Sequence, residues 1–195
     1  IINKTIERDG KVLIPELGLG RAQETMLILE DAMATGRLKQ VPIYIDGMIW
    51  DINAIHTAYP DFLNNKVKAD IFQEDNPFVS EFFNRVASPQ ERKNVIEGGP
   101  CIVLATSGML VGGASVEYFR ELAINPNNCI CFVCYQGVGS LGRAVQDGAK
   151  ETRMISEGKE EVIKIEMEVE TITGFSAHAG RNELISFFND LHPKS

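Results

Sequence analysis

The chain has no apolar run approaching the roughly 18 residues of a membrane-crossing helix, and no basic segment leading into a short apolar one as in a secretory leader. Those absences exclude a helical span and a leader within these residues, and a soluble, cytoplasmic protein with no membrane partner is expected. Cysteine is scarce: Cys101, Cys129, Cys131 and Cys134 sit in apolar company, not in the dense spacing of a secreted disulfide scaffold. Cys129-x-Cys131-x-x-Cys134 superficially resembles a metal cluster, yet a strand sends Cys129 and Cys131 to one side and Cys134 to the other, so buried thiols are expected. Basic charge is also short. With 19 Lys and Arg against 27 Asp and Glu, the net charge is −8, which argues against a broad grip on a phosphate backbone and leaves room only for a small basic site. Neither an internal repeat nor a linker divides the chain.

What is present is an alternation of short apolar runs and helical patterns. Lys11 to Pro15, Val41 to Asp46, Pro100 to Ala105 and Asn127 to Tyr135 read as strands, the first of them central and buried on both faces. Helical periodicity follows in 22–33, 48–59 and 116–122, and Ser88-Pro89-Gln90-Glu91 is a helix start with a capping serine and a proline in the first turn. The segment from Asp61 to Ala87 reads as irregular structure and short helices, anchored by Phe72, Phe78, Phe82 and Phe83. Glu151 to Ser156, a Glu157-Gly158-Lys159 turn and Glu161 to Ile172 read as a hairpin added antiparallel to the sheet. The fold class expected is α/β, a mostly parallel Rossmann-like sheet flanked by helices with a C-terminal β-hairpin addition.

In such a fold the ligand crevice lies beyond the carboxyl ends of the strands. Three small-residue loops should converge there: Gly18 to Arg21, Thr106 to Gly113, and Gln136 to Arg143. The first suits an anion through its free N–H groups, and Arg21 is either a surface residue beside a tight turn or a ligand group. A fourth loop, Thr173 to Gly180, carries Ser176 and His178 between the last strand and a helix with apolar residues at Leu184, Ile185, Phe187 and Phe188. A lone histidine is commonly structural, but an imidazole in a loop of small residues is accessible and can exchange a proton near neutral pH. His56, within Ile49, Ile52, Ile55 and Tyr59, reads as a packing or surface residue of a helix, and His192 as a surface residue after the last one.

Taken together, Val12-Leu13-Ile14-Pro15 with Gly20-Arg21-Ala22-Gln23-Glu24, Ala105-Thr106-Ser107-Gly108-Met109-Leu110 with Gly112-Gly113, Phe132-Val133-Cys134-Tyr135-Gln136 with Gly142-Arg143, and Phe175-Ser176-Ala177-His178 resemble the β-CASP domain of metallo-β-lactamase-type RNA nucleases. The likeness is above all to archaeal homologues of the nuclease subunit of the cleavage and polyadenylation specificity factor. It covers nearly the whole chain, so residues 1–195 are expected to form one β-CASP domain cut from a longer chain whose metallo-β-lactamase domain lies outside it. The resemblance implies that this domain caps a partner domain holding two zinc ions, and that RNA enters between them. It implies that His178 serves the scissile phosphate as proton donor or transition-state stabiliser. It further implies that Arg21, Ser107, Gly108, Arg143 and Ser176 line the RNA path. A homodimeric parent, active as an endonuclease or exonuclease of the mRNA 3′-end processing type, is expected.

Two departures qualify the likeness. The His-x-His-x-Asp-His zinc motif, the acidic motif A and the later motif C histidine are absent from these residues, so this piece is expected to hold no zinc and to be inactive alone. Cys134 stands where archaeal members usually carry glycine, read as a packing change in a buried strand. The alternatives are a non-catalytic RNA-binding or scaffolding module, or a Rossmann-like small-ligand domain. A degenerate homologue is expected to have lost the histidine that this chain keeps. A dinucleotide site wants an acidic residue about 20 positions after the glycines, whereas Asp46 lies 26 after Gly20.

Overall fold

The computed structural model describes residues 1–73, 75–156, 158–175 and 179–191. Its centre is a six-stranded sheet in the order β3-β2-β4-β1-β5-β8, built from β1 (Val12–Pro15), β2 (Ile43–Asp46), β3 (Phe83–Val86), β4 (Ile102–Ala105), β5 (Cys129–Phe132) and β8 (Glu168–Thr171). Every pairing in it is parallel. The expected Rossmann-like α/β sheet flanked by helices is therefore present.

The strands are apolar at successive positions because both faces are covered. Val12, Ile14, Ile43, Ile45, Ile102, Leu104, Cys129 and Cys131 point to one face. There they meet Ala22, Met26, Leu29 and Met33 of α2 (Arg21–Ala34) and Ile49 of α3 (Ile49–Ala58), with Ile2 of α1 (Ile2–Glu7) at the margin. Leu13, Val103, Ala105, Ile130 and Phe132 point to the other face. Their partners are Val95 of α5 (Pro89–Glu97), Tyr118, Phe119 and Leu122 of α6 (Ala114–Leu122), and Val145 of α7 (Leu141–Gln146). The start of α5 follows its residues: Ser88 Oγ accepts from Glu91 N at 3.2 Å, while the Glu91 carboxylate reaches back to Ala87 N at 2.7 Å.

This arrangement creates the crevice. The loop after β1 leads to α2 on one face, whereas the loops after its neighbours β4 and β5 lead to α6 and α7 on the opposite face. Chain segments diverge at the carboxyl ends of these three strands, which is where open α/β sheets bind ligands.

Several expectations are corrected. The alternating run from Glu161 to Ile172 is not one strand. Its first part is β7 (Lys159–Lys164), which pairs antiparallel with β6 (Glu151–Ser156) in a separate two-stranded sheet, and its second part is β8, which joins β5 in parallel. The break comes where Glu166 N and Met167 N both donate to Ala123 O, at 2.8 and 3.0 Å, and where Ile165 and Met167 enter the core. On the acidic side of the run, Glu168 accepts an ion-paired hydrogen bond from Arg8. Between Asp61 and Ala87, beyond α4 (Asn65–Phe72), the edge strand β3 appears where irregular structure was expected; its Asn84 and Arg85 are exposed, so no apolar run marks it. Phe78 and Phe83 are buried anchors, but Phe72 is 65% exposed and is not a core anchor.

Candidate nucleic-acid interface

The three small-residue loops meet above β1, β4 and β5. Gly108 is at the junction: a Cβ there would lie 2.8 Å from Cys134 Sγ and 3.1 Å from the backbone of Glu16 and Leu17, so only glycine lets the loops close. Gln136, almost wholly buried, donates from Nε2 to Gly108 O at 2.9 Å and to Cys134 O at 3.2 Å. Gly142 N donates to Met109 O at 3.0 Å. The loops after β4 and β5 are thus fastened into one surface.

On the β1 side, Gly20 has φ +83° and turns the chain into α2. Gln23, one turn on, accepts from Gly20 N at 2.6 Å and donates to Gly18 O at 3.1 Å and Asn53 Oδ1 at 2.9 Å, tying the loop to α3. Arg21 is buried at the first position of α2. Its guanidinium pairs with Glu24 at 2.7 Å and lies 5.4 Å from the centre of the Phe175 ring. It is therefore neither a surface residue beside a turn nor a loose cation, but a group held at the edge of the crevice.

Behind Arg21 is Glu16, with no exposed surface at all. Among the described residues neither of its carboxyl oxygens finds a hydrogen-bond partner of normal geometry, and the same holds for Arg21 Nε and Thr25 Oγ1. Burial pushes the Glu16 carboxyl up to about 8, against the pull of the Thr25 hydroxyl and the Arg21 charge. Glu16 is thus a neutral acid at pH 7.

The other expected RNA-facing residues are placed variously. Ser107 Oγ donates to Gly112 O at 3.0 Å and accepts from Val111 N at 3.1 Å, so it shapes its own loop. Gly108 is buried and its carbonyl is taken by Gln136. Arg143 lies in the first turn of α7 and donates to Asp147 at 2.8 Å on an exposed face. Ser176 and His178 lie outside the described residues, as does His192; in the chain the first two fall between β8 and α8 (Arg181–Asp190). His56 packs edge-on against Phe78, with ring centres 5.8 Å apart.

Sequence reasoning did not single out Glu16, Gln23 as a lock, or Gln136 as a lock. Glu16 and Gln136 leave only the signal of a polar side chain shortly after an apolar strand, and Gln23 that of a polar residue in the first turn of a helix.

Cys101, Cys129 and Cys131 are buried in the core as expected, whereas Cys134 lies past the end of β5 and is only partly buried, so the expected buried strand position there is corrected. Cys129 and Cys131 share the face of the sheet toward α2, their sulfurs 3.7 Å apart, while Cys134 Sγ sits by Gly108 O at 3.4 Å. Among the described residues no group of three or more His, Cys, Asp and Glu side chains is placed to share a metal ion. The residues described here thus do not fit a zinc site. No helix among them is long and apolar enough to cross a membrane.

Comparison with known proteins agrees with this layout. The β-CASP domain family matches residues 22–145, and the family described as the Zn-dependent metallo-hydrolase RNA specificity domain matches residues 162–195. Proteins named transcription termination factor FttA are similar throughout. That of Pyrococcus horikoshii is 52% identical over all of this chain and 30% of its own length. Those of Methanocaldococcus jannaschii and Methanosarcina mazei are 51% and 43% identical, over 99% and 100% of this chain and 31% of their own. The chain spans about 30% of the length of these relatives. With a parallel α/β sheet, loops fastened over the carboxyl ends of its central strands and a family match across most of its length, the chain belongs to the β-CASP family.

Proposed function

We propose that residues 1–195 are the β-CASP cap of a zinc-dependent RNA nuclease, forming one wall of an RNA cleft whose other wall is a metallo-β-lactamase domain elsewhere in the parent chain. The observation that carries this is Arg21: a buried guanidinium fixed at the crevice edge, beside the two loops that Gln136 pins together, in a chain of the β-CASP family. A few positioned groups of this kind suit a domain of net charge −8 that meets RNA along one edge. In this reading the parent cleaves RNA in the cytoplasm as a homodimer and serves the transcription termination for which its relatives are named.

Bound zinc, held outside this chain, would supply hydroxide and neutralise phosphate charge. The chain's own contribution is separate. Arg21 directs positive charge to the backbone, the pinned loops fix the path, and His178 donates a proton to the departing oxygen. An acid of this kind contributes about 10²-fold or more. Arg143, Ser107 and Ser176 are proposed to contact RNA beside them.

The test is RNA cleavage by the full-length protein, wild type against His178→Ala, with zinc measured on both. A fall of about 10² or more with zinc retained establishes the histidine as the acid. Unchanged activity makes it structural and recasts the domain as a binding or scaffolding module. The 195-residue piece alone is expected to leave RNA intact, and robust cleavage by it would defeat the cap assignment.

A further inference from the structure

Beside the pinned loops a cleft of about 450 Å³ opens between the ends of β5 and β8, its walls formed by Arg21, Cys134, Tyr135, Thr173, Gly174 and Phe175. Tyr135 is 68% exposed, although the residues around it are fixed: Val133 is buried in the core, and Gln136 is buried and bonded to Gly108 O. A large aromatic ring is thus presented to the cleft from a backbone that has little freedom left to lose, which is what preorganised recognition requires. Across the cleft Phe175 is half-buried, with the Arg21 guanidinium 5.4 Å from its ring centre. The site therefore combines a flat apolar wall, a second ring backed by a cation, and hydroxyl-bearing residues along the β8 side.

We propose that this cleft is a nucleobase subsite, in which one unpaired base of the RNA stacks on Tyr135 while Arg21 attracts the adjoining phosphate. Aromatic rings beside a cation are how single strands are held without reading sequence, and Arg21, paired with Glu24 and lying over Phe175, is the cation on the cleft wall that an adjoining phosphate would meet. The inference rests on the proposal that the protein handles RNA, and its test separates the two.

Anisotropy titrations would use the full-length protein with a labelled short oligouridine and with a set of the same oligomers, each carrying one abasic residue. Tyr135→Ala is expected to weaken binding of the intact oligomer about 5- to 100-fold, the scale of one lost stacking ring, whereas Tyr135→Phe keeps it. One abasic position should cost the wild type a similar factor and cost Tyr135→Ala nothing further, which is the signature of a direct pair. Equal weakening by Tyr135→Ala for the intact and every abasic oligomer, or no weakening at all, overturns the subsite while leaving RNA binding in place. Failure of the wild type to bind any of the oligomers overturns the RNA reading and the subsite together.

Discussion

Gln136 Nε2 donates to the carbonyl of Gly108 at 2.9 Å, so a single buried amide ties the loop after β5 to the loop after β4. Its Oε1 leaves no room for a side chain at position 142, where a Cβ would lie 1.9 Å away, with Met109 O at 2.9 Å. The crevice surface thus depends on one amide and two glycines, and its rigidity should be lost with any of them.

Gly142→Ala is expected to destabilise the domain by about 1–3 kcal/mol through overpacking. Gln136→Leu should cost a similar amount, about 1–3 kcal/mol, because the Gly108 carbonyl is left unpaired. The two are coupled: with Gln136→Ala in place, Gly142→Ala should cost less, since the clashing amide is gone. Urea denaturation of Gly142→Ala, Gln136→Ala and the double variant checks this, and strictly additive losses would show that the amide and the glycine do not share space.

Asp46 is buried at the end of β2 and receives Arg92 through two hydrogen bonds, 2.8 and 3.0 Å long, while Arg92 also reaches Glu117 and lies over the Tyr118 ring. Asp46→Ala removes the partner of a guanidinium whose side chain is only 17% exposed. The expected cost is about 3 kcal/mol, the lower end for a broken buried pair because Glu117 remains. Adding Arg92→Met should recover part of the loss, and thermal melts of the three variants measure it.

Glu16 makes stability depend on pH. Its carboxyl is raised from 4.5 to about 8, so across that interval the folded chain keeps a proton that the unfolded chain releases. Stability contributed by the neutral acid is full below the unfolded value and falls as pH rises toward 8, with a slope approaching about 1.4 kcal/mol per pH unit. Glu16→Gln should flatten this part of the profile. Urea midpoints for both proteins through the interval decide it, and parallel profiles would place the titration elsewhere.

Burial raises the Cys101 and Cys134 thiols to about 11, and the Cys129 contact and burial raise Cys131 further. At pH 8 the native thiols at Cys101 and Cys134 should alkylate about 10²-fold more slowly than a free cysteine, which titrates near 8.5. All four cysteines should react once the chain unfolds. Iodoacetamide labelling read by mass spectrometry tests this, and rapid native labelling of Cys134 would contradict its packing against Gly108.

Much of this molecule is decided by residue order alone. Val12 to Pro15, Ile102 to Ala105 and Cys129 to Phe132 are apolar at every position, which requires cover on both faces and so a parallel sheet between helix layers. Ser88 and Pro89 set the start of α5, and the small residues after β1, β4 and β5 mark where a ligand edge must be. The partner of each strand is another matter. Alternation from Glu161 to Ile172 reads the same for one long hairpin arm as for two short strands, because a period of two says which face is buried but not which neighbour is paired. Only the meeting of Ala123 O with Glu166 N and Met167 N splits that run and sends β8 parallel to β5. Likewise, Glu16 and Gln136 look in sequence like ordinary polar residues after strands, and Gln23 like an ordinary polar residue at a helix start. Their burial and their partners, or the lack of them, follow from contacts between loops far apart in the chain, which tertiary packing alone brings together.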